Sequence, residues 1–241
     1  MNMRAGANSQ PQQWSSGSCG LPISADAAAL PSNIQSKSDF YEHIELQLTG
    51  LLDGQRNWVT NFANASSVLF NSMNRFGDWH EKHINWAGFY LLSPLFPGKI
   101  TDVKEPVLWL GPFCGQPACQ SIASVPGRGV CADGSSLLPP RAVVVPNTEE
   151  YPGHIACDSL SQSEIVVPLV VPRARLSQAH REALAGQGPP EAVRAWSGRG
   201  SDDDVIIGVI DIDCVAQGGF DEQDATALQR IARLIVDACD W

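Results

Sequence analysis

The chain has 241 residues, enough for one medium-sized core with appendages rather than two full domains. Its 44% hydrophobic and 17% charged residues call for a packed interior, and a formal net charge of −10 argues against a nucleic-acid partner, which would need clustered Lys and Arg. No apolar run reaches the roughly 18 residues of a membrane span, so no membrane partner is expected.

Residues 1–35 are rich in Ser, Gln, Asn, Ala and Pro without a sustained period, and read as a flexible N-terminal arm carrying Cys19. Their first part lacks the apolar centre of a secretory signal, so the expected compartment is the cytoplasm. Residues 36–241 read as one domain. Phe40, Ile44, Leu48 and Leu51 recur at helical spacing after Ser36, with Gly50 and Gly54 at the end. A second helix is expected from Asn57 to Arg75, with Trp58, Phe62, Leu69 and Met73 toward the core and Gly77 as its stop.

Five strands follow. "INWAGFYLL", Ile84 to Leu92, is the first, ended by Pro94 and Pro97. "PVLWLGPF", "AVVVP" and "SEIVVPLVV" are the next three, and Pro168 inside the fourth implies an edge or a bulge. "DDVIIGVIDIDCV" is the fifth. The last helix, "FDEQDATALQRIARLIVDAC", places Leu228, Ile231, Ala232 and Ile235 on one face, with Asp221 as N-cap and Asp224 three residues later. Between the fourth and fifth strands, Pro172 to Asp203 reads as an insertion into a hairpin, helical around Gln178 to Ala185. Two helices, several strands and a helix describe an α+β domain: a mostly antiparallel sheet with helices mainly on one face.

Strand periodicity locates the candidate chemistry. In the first strand Trp86, Gly88 and Tyr90 share a face, and upright side chains about 13 Å apart would leave a slot floored by backbone at Gly88. The plain alternative is two packing aromatics with a glycine that relieves crowding. In the fifth strand Asp211 and Asp213 leave the apolar run side by side. Such a pair can hold a cation and keep a proton near neutrality, unless the strand has simply reached solvent. An antiparallel hairpin of the last two strands would bring Glu164 beside both.

Seven cysteines, Cys19, Cys114, Cys119, Cys131, Cys157, Cys214 and Cys239, do not make a secreted disulfide framework. The middle four lie mostly in loops dense in Gly and Pro. Three readings stay open on residue chemistry alone: zinc binding together with His154, inert thiols, or a nucleophile with a resolving thiol. No CxxC pair supports zinc, and no metal is expected.

In order, "NWAGFYLL", "LWLGPF", "PAC", "GRGVC", "PGHIACD", "SEIVVPLVV" and "IGVIDID" closely resemble the free methionine-R-sulfoxide reductases, a branch of the GAF-domain superfamily. The resemblance runs from about Phe40 to Val236 apart from the insertion. It implies a GAF fold and thiol-dependent reduction of free methionine R-sulfoxide to methionine. No bound cofactor is implied; thioredoxin is the external reductant, and a homodimer the assembly. It makes Cys157 the catalytic thiol, with Cys119 favoured to resolve its sulfenic acid and Cys131 as the alternative. Trp86 and Tyr90 fall on pocket positions, Trp86 against the substrate methyl group, and Glu164, Asp211 and Asp213 on the family's carboxylates. Glu164 or Asp213 would donate the proton, Asp211 with Glu164 or Asp213 would hold the ammonium, and amides near "GRGVC" would hold the carboxylate. A GAF module that senses a small molecule without turnover is the competing class, and a zinc-stabilised interaction domain is a third. The chain departs from the family in the extra Cys114, a longer "QSIASVPGRG" segment and the insertion.

Overall fold

The computed structural model describes residues 30–97, 105–154, 158–185 and 204–241. Most of the arm, most of the second half of the insertion, and Cys19 and Cys157 therefore lie outside the described residues. Leu30 and Ile34, at the end of the arm, pack against the core.

Helix α1 (Lys37–Leu52) begins where the Ser36 hydroxyl oxygen accepts the Asp39 N–H at 3.1 Å. Helix α2 (Trp58–Met73) starts on Asn57, whose side-chain oxygen accepts the Thr60 N–H at 3.2 Å. Its expected core positions Phe62, Leu69 and Met73 are buried, and Trp58 is partly covered. A one-and-a-half-turn helix α3 (Gly77–Lys82) follows, so Gly77 ends the preceding segment and begins a new one. Strand β1 is Ile84–Leu92, as its aromatic and aliphatic run indicates. It is followed by β2 (Val107–Gly115), β3 (Ser121–Ala123), α4 (Val130–Gly134), β4 (Val143–Val145) and β5 (Ser163–Pro172). The insertion contributes helix α5 (Gln178–Ala185), and β6 (Asp204–Cys214) and α6 (Glu222–Asp237) complete the order.

The six strands form one antiparallel sheet in the order β3-β2-β1-β6-β5-β4. Strand β5 lies inside the sheet, with Pro168 opposite Val209 of β6. Strand β4 reaches only Glu164 to Val166, so among the described residues Pro168 pairs with no strand on that side, and a bulge follows between Leu169 and Val170.

The two sheet faces do different work. Ala87, Phe89 and Leu91 face the helices, with Phe89 stacked on Phe62 of α2 at 4.1 Å between ring centroids. Helix α6 is held by a capping box in which Asp221 and Asp224 accept each other's backbone N–H groups. Asp224 is fully buried and also accepts from Lys37 Nζ at 2.7 Å and Tyr41 Oη at 3.0 Å, which ties α1 to the start of α6. A buried carboxylate is tolerable only with such partners. The opposite sheet face carries Trp86, Gly88, Tyr90, Glu164, Asp211 and Asp213, under α4 and the loops between β2 and β5. Gly134 lets α4 lie directly on that face, because a Cβ there would collide with the Val166 side chain.

Candidate active site

Register brings the carboxyl groups together. Glu164 pairs with Asp213 across β5 and β6, and Val166 pairs with Asp211, so the three acids share one face within two residues of strand. Strand β1 on the other side sets Trp86 opposite Asp213 and Gly88 opposite Asp211. The hairpin expected from the sequence is therefore the element that builds the cluster.

The acids line a small cavity of about 30 Å³ with Cys131, His154, Ser161, Ile122 and the Arg128–Val130 turn. Glu164, Asp211 and Asp213 retain 6, 7 and 8% of their exposure, so the strand has not reached solvent at its paired aspartates. Burial raises all three carboxyls well above the ordinary range, and the charge of a neighbouring acid raises each further. The group thus holds protons at pH values where isolated carboxyls have lost them. The Cys131 Sγ is 3.9 Å from Glu164 Oε1, and burial followed by the Asp211 and Glu164 charges pushes this thiol well up, away from thiolate. His154 Nε2 is 3.6 Å from Glu164 Oε2, and burial lowers its pKa while it raises that of the acid, so the shifts oppose an ion pair here. Asp211 Oδ1 is buried without a hydrogen-bond partner.

The slot expected between Trp86 and Tyr90 is closed. The indole folds across Gly88, where a Cβ would come within 2.5 Å of its Cη2, and stacks on Tyr90 at 5.8 Å and Phe113 at 5.4 Å between centroids. Side chains that stand upright would leave a gap; flat aromatic surfaces gain more by stacking over a glycine than by enclosing a void. Trp86 Nε1 is buried without a partner, and Tyr90 Oη donates to the Cys119 carbonyl at 2.9 Å.

Cys119 is disulfide-bonded, while Cys114, Cys131, Cys214 and Cys239 are free thiols; Cys157 lies outside the described residues. The chain on either side of Cys157 is anchored. His154 N–H donates to the Tyr151 carbonyl at 3.1 Å, and Asn85 Nδ2 donates to Asp158 Oδ2 and Ser161 Oγ, both at 2.9 Å. Asp133 of α4 accepts from Tyr151 Oη and the Gly127 N–H, both at 2.6 Å, which joins the "GRGVC" turn to the "YPGH" turn.

Four lining residues were not singled out by strand reasoning: Arg128, Ile122, Ser161 and, as a pocket wall, His154. A lone cation between two glycines was the available signal for Arg128, whose guanidinium pairs with Glu105 at 2.7 Å. Gly129, Val130 and Cys131 line the cavity at the first turn of α4, where helix amides lack intrahelical acceptors.

No family model matches the chain. The free methionine-R-sulfoxide reductase of Saccharomyces cerevisiae is 36% identical over 215 residues, which span 89% of this chain and 93% of that protein. A solved GAF-domain structure superposes with a TM-score of 0.66 at 35% identity, covering 93% of this chain and 99% of the other. The substrate complex of the Neisseria meningitidis free methionine-R-sulfoxide reductase superposes at 0.60 with 29% identity, over 88% and 95% of the two chains. Acids buried in one cavity on an antiparallel sheet thus come with near full-length similarity to a free methionine-R-sulfoxide reductase, and the chain belongs to the free methionine-R-sulfoxide reductase family, with a GAF fold.

Proposed function

We propose that the protein reduces free L-methionine (R)-S-oxide to L-methionine. The observation that carries this reading is the cluster of Glu164, Asp211 and Asp213, buried together in one cavity, where burial raises each carboxyl well above its ordinary range. A sulfoxide oxygen leaves only when it is protonated, and a neutral carboxylic acid beside the sulfur is the group that can do it.

The Cys157 thiolate attacks the sulfoxide sulfur while Glu164 or Asp213 protonates the oxygen, which transfers to the thiol. Methionine departs and Cys157 is left as a sulfenic acid. The Cys119 thiol then condenses with it, forming a disulfide and releasing water, and an external dithiol such as thioredoxin restores both thiols. The disulfide at Cys119, with Cys131 a free thiol whose ionisation is suppressed by burial and then by the Asp211 and Glu164 charges, supports Cys119 as the resolving residue. The orphaned Asp211 Oδ1 is a ready acceptor for the substrate ammonium. Arg128 and the first amides of α4 face the same cavity and suit the carboxylate. Trp86, opposite Asp213, is the apolar surface next to the acids that suits the methyl group. A peptide-bound residue has neither charge and would leave these groups unpaired. Four free thiols among the described residues suit a reducing compartment, the cytoplasm, and the family resemblance supports a homodimer.

The test compares the R and S epimers of free methionine sulfoxide and a peptide-embedded R-sulfoxide, with excess dithiol. Methionine from the free R epimer alone is expected. Equal turnover of the peptide would remove the assigned roles of Asp211 and Arg128, and no turnover of the free R epimer would end the enzyme reading. A purely sensing module would release no methionine at all.

A further inference from the structure

We propose that Cys131, Glu164 and Asp211 form a binding site for a thiophilic divalent cation of the zinc class, with His154 as the fourth ligand. One ligand atom from each of the first three residues lies within 4.8 Å of the others, and all three residues are buried. Tetrahedral zinc bonds of about 2.0–2.3 Å place ligand atoms about 3.5 Å apart, so the set closes around an ion by side-chain movements of about 1 Å. The nearest fourth ligand is His154, whose Nε2 is 3.6 Å from Glu164 Oε2 but falls outside the 4.8 Å set formed by the other three, so its ring must swing inward to complete the tetrahedron.

Two observations separate this set from an ordinary acidic cluster. Asp211 Oδ1 is buried on the cavity wall without a hydrogen-bond partner, an acceptor aimed at something the protein chain does not supply. The cluster also contains a thiol, whose sulfur prefers zinc or cobalt over magnesium or calcium, which need six or more oxygen ligands. Binding displaces the protons held by the thiol and both acids, so affinity rises with pH. The ion would occupy the place assigned above to the substrate ammonium, and this competition alone rests on that reading. The consequence is a reduced enzyme shut off by free zinc and reopened by chelation, while Cys157 stays outside the ligand set.

The test titrates Co2+ into the reduced, chelator-treated full chain and follows the thiolate-to-cobalt charge-transfer band, then displaces it with Zn2+; Mg2+ is the control. One equivalent of Co2+ producing the band, removed by one equivalent of Zn2+ and untouched by Mg2+, is expected. Cys131→Ser should abolish the band, and Asp211→Asn, the same shape without the charge, should keep it but weaken binding by about tenfold or more. If Cys131→Ser does not fold by circular dichroism, Asp211→Asn decides: unchanged affinity overturns the site. A band absent from the wild type, or intact in folded Cys131→Ser, also overturns it. Turnover in chelator without a band removes the metal site and leaves the reaction standing; a band without turnover does the reverse.

Discussion

Replacing Glu164 by Gln keeps the shape of the side chain and removes one acid from the cluster, so it separates the proton-donor role from packing. Glu164 retains 6% exposure, pairs directly with Asp213 and meets Cys131 at 3.9 Å. Burial and the Asp213 charge raise its pKa well above the ordinary 4.5, whereas the unfolded chain titrates near that value. The sign follows. A raised folded pKa means that Glu164 contributes its full stability below about pH 4.5 and loses it as pH rises toward the folded value, because only the unfolded chain releases the proton. Each pH unit in that window costs about 1.4 kcal/mol for one proton. Gln has no proton to lose, so Glu164→Gln should gain on the wild type by up to about 1.4 kcal/mol per pH unit from about pH 4.5 upward until Glu164 ionises in the folded protein, with coupling to Asp211 and Asp213 reducing the slope. Urea unfolding of the reduced proteins at half-unit pH steps measures the difference directly. The same substitution should lower kcat by about 10²–10⁴-fold if Glu164 supplies the proton. A stability difference that stays constant across pH 5–8 would show that the folded carboxyl is ionised like any other, and the proton-donor argument would fail with it.

Cys157→Ser should abolish methionine formation even in the first turnover, whereas Cys119→Ser should still release one equivalent of methionine and then stall; quench-flow with amino-acid analysis reads both. Gly134→Ala pushes a methyl into Val166 and should destabilise by about 1–3 kcal/mol in urea unfolding while leaving the helix-side packing at Phe62 and Phe89 unchanged. Asp224→Ala removes the partner of Lys37 and Tyr41 and half of the capping box, and should cost about 3 kcal/mol in the same assay.

Period and punctuation carry most of the fold. Strand β1 was legible from its aromatic and aliphatic run ended by Pro94, and helix α5 approximately, from the stretch around Gln178 to Ala185. The hairpin of β5 and β6 was legible too, and with it the meeting of Glu164, Asp211 and Asp213, since antiparallel pairing leaves only one arrangement of strand ends. The short elements were not: β3 has three residues and α4 five, too few for a period to emerge from "SIA" or "VCADG". The closed Trp86–Tyr90 slot was illegible for a different reason. Alternation assigns a face to a side chain but not its rotamer, and the indole's fold over Gly88 is decided by Phe113 on a neighbouring strand. Arg128 and His154 reach the cavity through loops, where no period exists to place them.

The central claim is that one thiol takes the sulfoxide oxygen and a second closes on it. Mixing fully reduced protein with free methionine R-sulfoxide, with no other reductant present, tests it in a single turnover. One methionine per chain should appear as two thiols per chain disappear, and peptide mapping should find Cys119 joined to Cys157. Methionine formed without thiol loss, or a disulfide that contains Cys131 and omits Cys119, would contradict the account.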